Sequence, residues 1–335
     1  MKKQNSLHGL TIFRFVAAGY VFLFHCNSRL PLDMPDWMRL VVNNGAIGMS
    51  FFFVLSGFVM AWSSRNGIRS DYIKARIMRI YPAYFLMGVL TIPFLVDKDP
   101  RGIASGLALF ITGTQAWIPQ AFSFWNFSGS WSVSTELFFY LVFPIIFPLI
   151  MAKPIRTLVI AFVITSATVP ITMIFSDKYT FPLYYSVPIY RLAEFICGVA
   201  IGVIFFKYNY IFSKKWLLLS LIISIYALLF LSPVHNRGYT QNNLTTVSMT
   251  MLLIYVLASS NIVKNKITII PIYLGKISYS FYLMQLPIMF FFDKYKYMFN
   301  GIDNVDMWIY AAIINTAMAM LSYHFVEEKF SIKRR

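Results

Sequence analysis

Leu10 to Cys26 reads LTIFRFVAAGYVFLFHC, and the fold turns on how this stretch is understood. It is apolar over a length that lets a helix cross a bilayer, roughly 17 residues or more. It nevertheless carries Arg14 in its first turns and His25 at its far end. The helical path between them rises about 16 Å and turns through about 1100°, which leaves both side chains on nearly one face. Arginine inside a membrane is costly and points into protein rather than lipid. Taken alone, the stretch fits equally an Arg14 that snorkels to the headgroups and a His25 that is an ordinary polar terminus.

Composition widens the argument. The chain has 335 residues, of which 58% are hydrophobic and 13% charged, and its mean hydropathy is +0.64. Soluble domains carry about a quarter charged residues, so the apolar surplus must face lipid. The fold class this predicts is an all-α polytopic membrane protein. The net charge of +16 lies in short loops between apolar segments. That is a topology signal and a contact for anionic lipid, with nothing to indicate nucleic acid. Cys26 and Cys197 have no metal-ligand spacing and read as buried free thiols, so no metal is expected. The first span lacks a small-x-small cleavage site and reads as a retained signal anchor.

Ten apolar segments are clear: Leu10–Cys26, Gly45–Trp62, Ile80–Val96, Val133–Met151, Thr157–Phe175, Val187–Phe206, Trp216–Leu231, Leu244–Val263, Ile277–Phe292 and Met307–Phe325. An eleventh candidate, Gly102–Trp117, is interrupted by glycine and threonine. With ten crossings and a cytoplasmic N-terminus, 19 of the 29 Lys and Arg residues lie inside, 8 outside, and Arg14 and Arg191 within spans. A further crossing at Gly102–Trp117 would change this to 11 inside and 16 outside. The positive-inside rule selects the ten-span arrangement with both termini cytoplasmic. Residues 102–117 are then a re-entrant or half-membrane segment. The expected organisation is one integral membrane domain over residues 1–335 with no appended soluble domain.

Several short constellations carry chemistry. Arg76 and Arg79, at i and i+3, share a helix face and can grip phosphates with planar donors, although composition alone favours a cytoplasmic anchor. Trp131-Ser-Val-Ser-Thr-Glu136 opens the fourth span, and a carboxylate there needs a cation or hydrogen-bond donors. Ser132 and Ser134 also suit helix caps. Arg191 and Glu194 neutralise each other at i, i+3, which favours a structural ion pair. Ser56-Gly57-Phe58 puts a glycine where close packing or ligand approach is possible. HxxxxD, GxSxG, HExxH and Walker patterns are all missing.

In this order the pieces resemble the acyltransferase-3 family of integral membrane acyltransferases. The carriers are Arg14 with ten residues to His25, SGF at Ser56–Phe58, Arg76-x-x-Arg79, WSVSTE at Trp131–Glu136, RLAEF at Arg191–Phe195 and SYSFYLMQLP at Ser278–Pro287. The resemblance runs from about Leu7 to Phe330. Gln285 departs from it, standing where the family often has histidine, and Glu328-Lys329-Phe330 replaces a Glu-Lys-Pro-like ending. The resemblance implies a membrane O-acyltransferase, foremost an O-acetyltransferase, of a bacterial inner membrane. Its donor would be cytoplasmic acyl-CoA, usually acetyl-CoA, and its acceptor an envelope polysaccharide or lipid-linked glycan on the outer side. His25 would be the general base. Glu136 would orient it or bind acceptor hydroxyls, with Trp131 and Ser132 beside the substrate. Arg14 would contact donor phosphate or polarise the thioester, while Arg76, Arg79, Ser56 and Gly57 would hold acyl-CoA. Some members of the family carry a fused extracytoplasmic hydrolase-like domain; without one, the resemblance implies a single-component enzyme acting directly on its acceptor. A transporter or flippase, with the same charges lining a substrate path, is the competing class. The matched, interrupted halves common in transporters are not evident in the sequence.

Overall fold

The helix that begins at His8 runs unbroken to Arg29. In a computed structural model the described residues are 7–95, 99–125, 127–174, 183–208, 214–231, 243–260, 262–299 and 301–330. Among them every regular element is helical. In chain order these are α1 His8–Arg29, α2 Asp36–Asn43, α3 Gly48–Ser63, α4 Tyr72–Leu90, α5 Pro100–Thr112, α6 Phe127–Ala152, α7 Pro154–Ile174, α8 Pro188–Tyr208, α9 Lys214–Phe230, α10 Asn243–Ser259, α11 Ile269–Lys294 and α12 Asn304–Ser322. Each of the ten apolar segments read from the sequence falls mainly on one of these helices, although Phe175 and Val96 lie outside the described residues.

Among the described residues, five stretches are long and apolar enough to cross a membrane by themselves: His8–Arg29, Asp36–Ser63, Phe127–Ala152, Leu183–Tyr208 and Asn304–Phe330. Side-chain exposure supports an integral membrane protein. On α6, Leu141, Ile145 and Leu149 recur every fourth residue and are 61%, 72% and 70% exposed. Further bare apolar side chains on α7 and α9, among them Val163 and Ile222, extend the surface. Apolar area this continuous belongs against lipid.

One segment differs from its reading as a simple run. α4 starts well before Ile80 and stops at Leu90, where the Thr91 hydroxyl donates to the Gly88 carbonyl at 2.8 Å. Ile92-Pro93 follows, and a residue before proline is poorly placed to continue a helix. Arg76 and Arg79 therefore lie inside the early turns of a helix. α5 spans only 13 residues, or about 20 Å, well short of about 30 Å of hydrocarbon. Asp99 caps its start through Gly102 N, and Gly113, at φ 65°, ends it.

Packing brings α3 and α8 into backbone contact. A Cβ at Gly57 would lie 2.2 Å from the Phe195 carbonyl oxygen, and one at Gly198 would lie 2.0 Å from that of Val54. α1 lies along α11, with Phe15 and Phe22 against Phe281 at ring separations of 5.0 and 5.6 Å. Cys26 Sγ meets Met289 Sδ at 3.7 Å. α1, α3, α4, α6 and α11 together surround one cavity, mostly apolar but with several charged and hydroxyl side chains in its lining.

Candidate active site

A cavity of about 260 Å³ opens among these five helices. α1 contributes Arg14, α3 contributes Phe52 and Ser56, and α4 contributes Arg76 and Arg79. Ser132, Glu136 and Tyr140 enter from α6, and Ser278, Tyr279 and Tyr282 from α11. Residues more than 260 positions apart in the chain thus share one wall system, because α1 and α11 pack side by side.

Helical periodicity explains the α6 and α11 sets. Ser132, Glu136 and Tyr140 stand at successive i+4 steps and so share a face, as do Ser278 and Tyr282. Arg76 donates to Ser63 Oγ at 3.1 Å and lies between the rings of Tyr72 and Tyr140, at 5.7 and 5.8 Å. The Ser56 hydroxyl, which lies 3.9 Å from Met60 Sδ, and the Glu136 carboxylate line the same cavity as Arg14, Arg76 and Arg79. Three guanidinium groups and one carboxylate thus line one cavity. Such a set binds polyanions, and planar guanidinium suits phosphate in particular.

Tyr282, in the cavity lining, is held by hydrogen bonds at both ends. Its hydroxyl donates to the Gly129 carbonyl at 2.9 Å, so the Ser132 hydroxyl, also 2.9 Å away, is the donor toward Tyr282. One turn further along α11, the Gln285 amide donates to the Tyr282 carbonyl at 2.8 Å. Gln285 Oε1 is left to accept, and His25 Nδ1 lies 3.2 Å from it. That bond assigns the proton to Nδ1 and leaves Nε2 with a lone pair, the arrangement a general base needs. His25 does not line the cavity. It stands beyond Tyr282, linked to the cavity through the chain Ser132, Tyr282, Gln285.

A family model described as an acyltransferase domain matches residues 7–324. The chain belongs to the acyltransferase-3 family. Among the relatives, it is 33% identical over 162 residues to acyltransferase MdmB of Streptomyces mycarofaciens, an alignment covering 45% of this chain and 42% of that protein. It is 23% identical over 360 aligned positions to O-acetyltransferase OatA of Staphylococcus aureus, covering 98% of this chain and 57% of that protein. A 22% identity to "Regulator of hypoxia-inducible factor 1" of Caenorhabditis elegans extends over 97% of this chain and 80% of that protein. The chain therefore spans about half the length of the first two relatives. No solved structure matches it.

Other residues singled out from the acyltransferase-3 motifs lie outside the cavity. Gly57 faces the α8 backbone, so its small size serves helix packing. Trp131 is 2% exposed and packs between Phe53 and Tyr185, at ring separations of 5.6 and 4.6 Å. Arg191 Nη1 lies 3.1 Å from Glu194 Oε1, Nη2 donates to Ser50 at 3.1 Å, and the guanidinium sits over Phe53. Ser134 accepts from Ala116 N at 3.3 Å and ties the end of the α5 segment to α6. Tyr140, Tyr279 and Tyr282 went unnoticed as site residues in the sequence. Tyr140 and Tyr282 fall at i+4 from Glu136 and Ser278, a legible repeat that Tyr279 does not share, and tyrosine in an apolar helix is too common to single out. Among the described residues, no three His, Cys, Asp or Glu side chains gather as a metal site.

Proposed function

We propose that the chain moves an acyl group, acetyl in the first instance, from cytoplasmic acyl-CoA to a hydroxyl of an envelope polysaccharide or lipid-linked glycan. The convergence of Arg14, Arg76, Arg79 and Glu136 on one cavity supports this most directly. These arginines would hold donor phosphates. At about 260 Å³ the cavity is smaller than most small-molecule pockets. It suits the phosphates and thin arm of CoA, with the nucleoside left outside it. The thioester would then pass Tyr282 toward His25.

At His25 the chemistry is acyl transfer. Nε2 takes the proton of the acceptor hydroxyl while its oxygen attacks the thioester carbonyl. The new C–O bond forms, the C–S bond breaks, and the departing sulfur receives the proton back from the imidazolium. Gln285, holding Nδ1, keeps the ring in the tautomer this needs. It thereby performs a positioning role without itself moving a proton. Arg14 belongs with the donor phosphates, because about 16 Å of helix separates it from His25 and rules out direct contact with a thioester there.

In this reading the chain crosses the membrane ten times with both termini cytoplasmic, and the α5 segment enters without crossing. The test is incubation of the purified full chain with acetyl-CoA, together with mass spectrometry of envelope glycans from cells with and without it. A loss of one acetyl increment with the gene supports the reading. Intact glycans combined with no acetyl-CoA turnover overturn it and return the arginine cluster to a transport path.

A further inference from the structure

Ser280 sits in the middle of the α11 stretch whose neighbours line the cavity, yet it faces the other way. Its hydroxyl hydrogen-bonds Glu327 Oε1, and the Ser322 hydroxyl lies 2.7 Å from it. Glu327 ends the π turn Tyr323–Glu327 that continues α12, and π turns are rare and frequent at functional sites. This turn packs against α4 and α11. On the far side of the same wall, Tyr279 lines the cavity and donates to the Ile80 carbonyl, beside Arg79, at 3.0 Å. Glu327 is thus bonded to the α11 turn whose neighbours Ser278 and Tyr279 line the cavity with Arg14 and Arg79, although among the described residues no ion pair within 4 Å joins it to either arginine. The adjacent carboxylate, Glu328, turns outward to His324 at 3.3 Å.

The charges explain why a second carboxylate belongs there. Three guanidinium groups and only one carboxylate, Glu136, reach the cavity itself. Like charges held together away from water repel strongly unless they are balanced. We propose that Glu327 is a positioning residue of the donor site, its carboxylate serving as the counter-ion of Arg14 and Arg79 until donor phosphates replace it. The carboxylate then opposes donor and product binding alike, which lets spent CoA leave. This rests on the cavity being the donor site.

The test is calorimetric titration of CoA into the full chain held in lipid nanodiscs. Glu327→Gln keeps the hydrogen bond to Ser280 but loses the charge, so CoA binds about ten-fold more tightly, with a steeper dependence on salt. Glu328→Gln leaves affinity unchanged. Equal tightening in both variants overturns the proposal in favour of general surface charge. Unchanged affinity in Glu327→Gln, with Arg79→Ala still weakening binding, overturns this inference alone. If Arg79→Ala also leaves CoA affinity unchanged, the donor-site reading falls with it. Should Glu327→Gln fail to accumulate, the double variant with Arg14→Gln removes the unbalanced charge and recovers folded protein; no recovery in that double variant sinks the proposal.

Discussion

His25 and Gln285 define the residue scale. A hydrogen bond of 3.2 Å across 260 positions of sequence holds the imidazole with its Nδ1 proton engaged. Removal of a general base costs about two to four powers of ten in rate. His25→Ala is therefore expected to lose nearly all acyl transfer while retaining insertion and acyl-CoA binding. His25→Gln, able to hydrogen-bond but not to accept the proton, is expected to be as inactive. An active glutamine variant, scored by glycan acetylation, would show His25 to be structural. The arginines answer to a different measurement. Arg76→Ala and Arg79→Ala each weaken acyl-CoA binding, and lysine restores it only in part because a point charge cannot make the bidentate contact. Unchanged affinity in both alanine variants makes them membrane anchors.

At the scale of elements, the decisive contact is the glycine-mediated approach of α3 and α8. The Gly57 and Gly198 positions leave no room for a methyl group against the opposing carbonyls. Gly198→Ala is expected to push the helices apart and cost about 1–3 kcal/mol or more, read as a lower unfolding midpoint of the extracted protein. Because Ser56 and Phe52 ride on α3 into the cavity, acyl transfer falls with it. Gly19→Ala is the comparison, since nothing lies within 4 Å of its added Cβ. There the better helix propensity of alanine makes the change neutral or stabilising. A matching loss of stability in both variants would remove the packing explanation. The Arg191–Glu194 pair joins the same two helices through Ser50, so α3 is held both by shape and by charge.

For the whole molecule the open question is how the helices thread the bilayer. The basic count favours ten crossings, with α5 too short to add another. Single cysteines introduced at positions 120 and 180 are both expected to react with a membrane-impermeant reagent added from outside. Position 180 lies outside the described residues, so this expectation comes from the charge distribution alone. Labelling of 120 from outside and 180 only from inside would mean that residues 102–117 cross, reversing the orientation of everything after them.

Much of this protein follows from its sequence alone. Apolar runs of membrane length place the helices, because an unsatisfied backbone in lipid leaves a helix few alternatives. Basic residues between them bias the orientation, and the spacing of Arg14 and His25 puts both on one face of α1. What the sequence left open was which helices are neighbours. Ser56, Arg76, Glu136 and Tyr282 lie on four helices, and nothing in their local spacing says that they share a cavity with Arg14. The SGF motif illustrates the split: two adjacent residues looked alike as donor-site candidates, yet Ser56 lines the cavity and Gly57 meets the α8 backbone, since successive helical residues point about 100° apart. Glu327 was equally hidden, brought against Ser280 of the cavity-lining helix α11 only by a π turn and the packing of α12 on α11. Local periodicity determines the face a residue occupies; only the long-range packing of helices determines what that face meets.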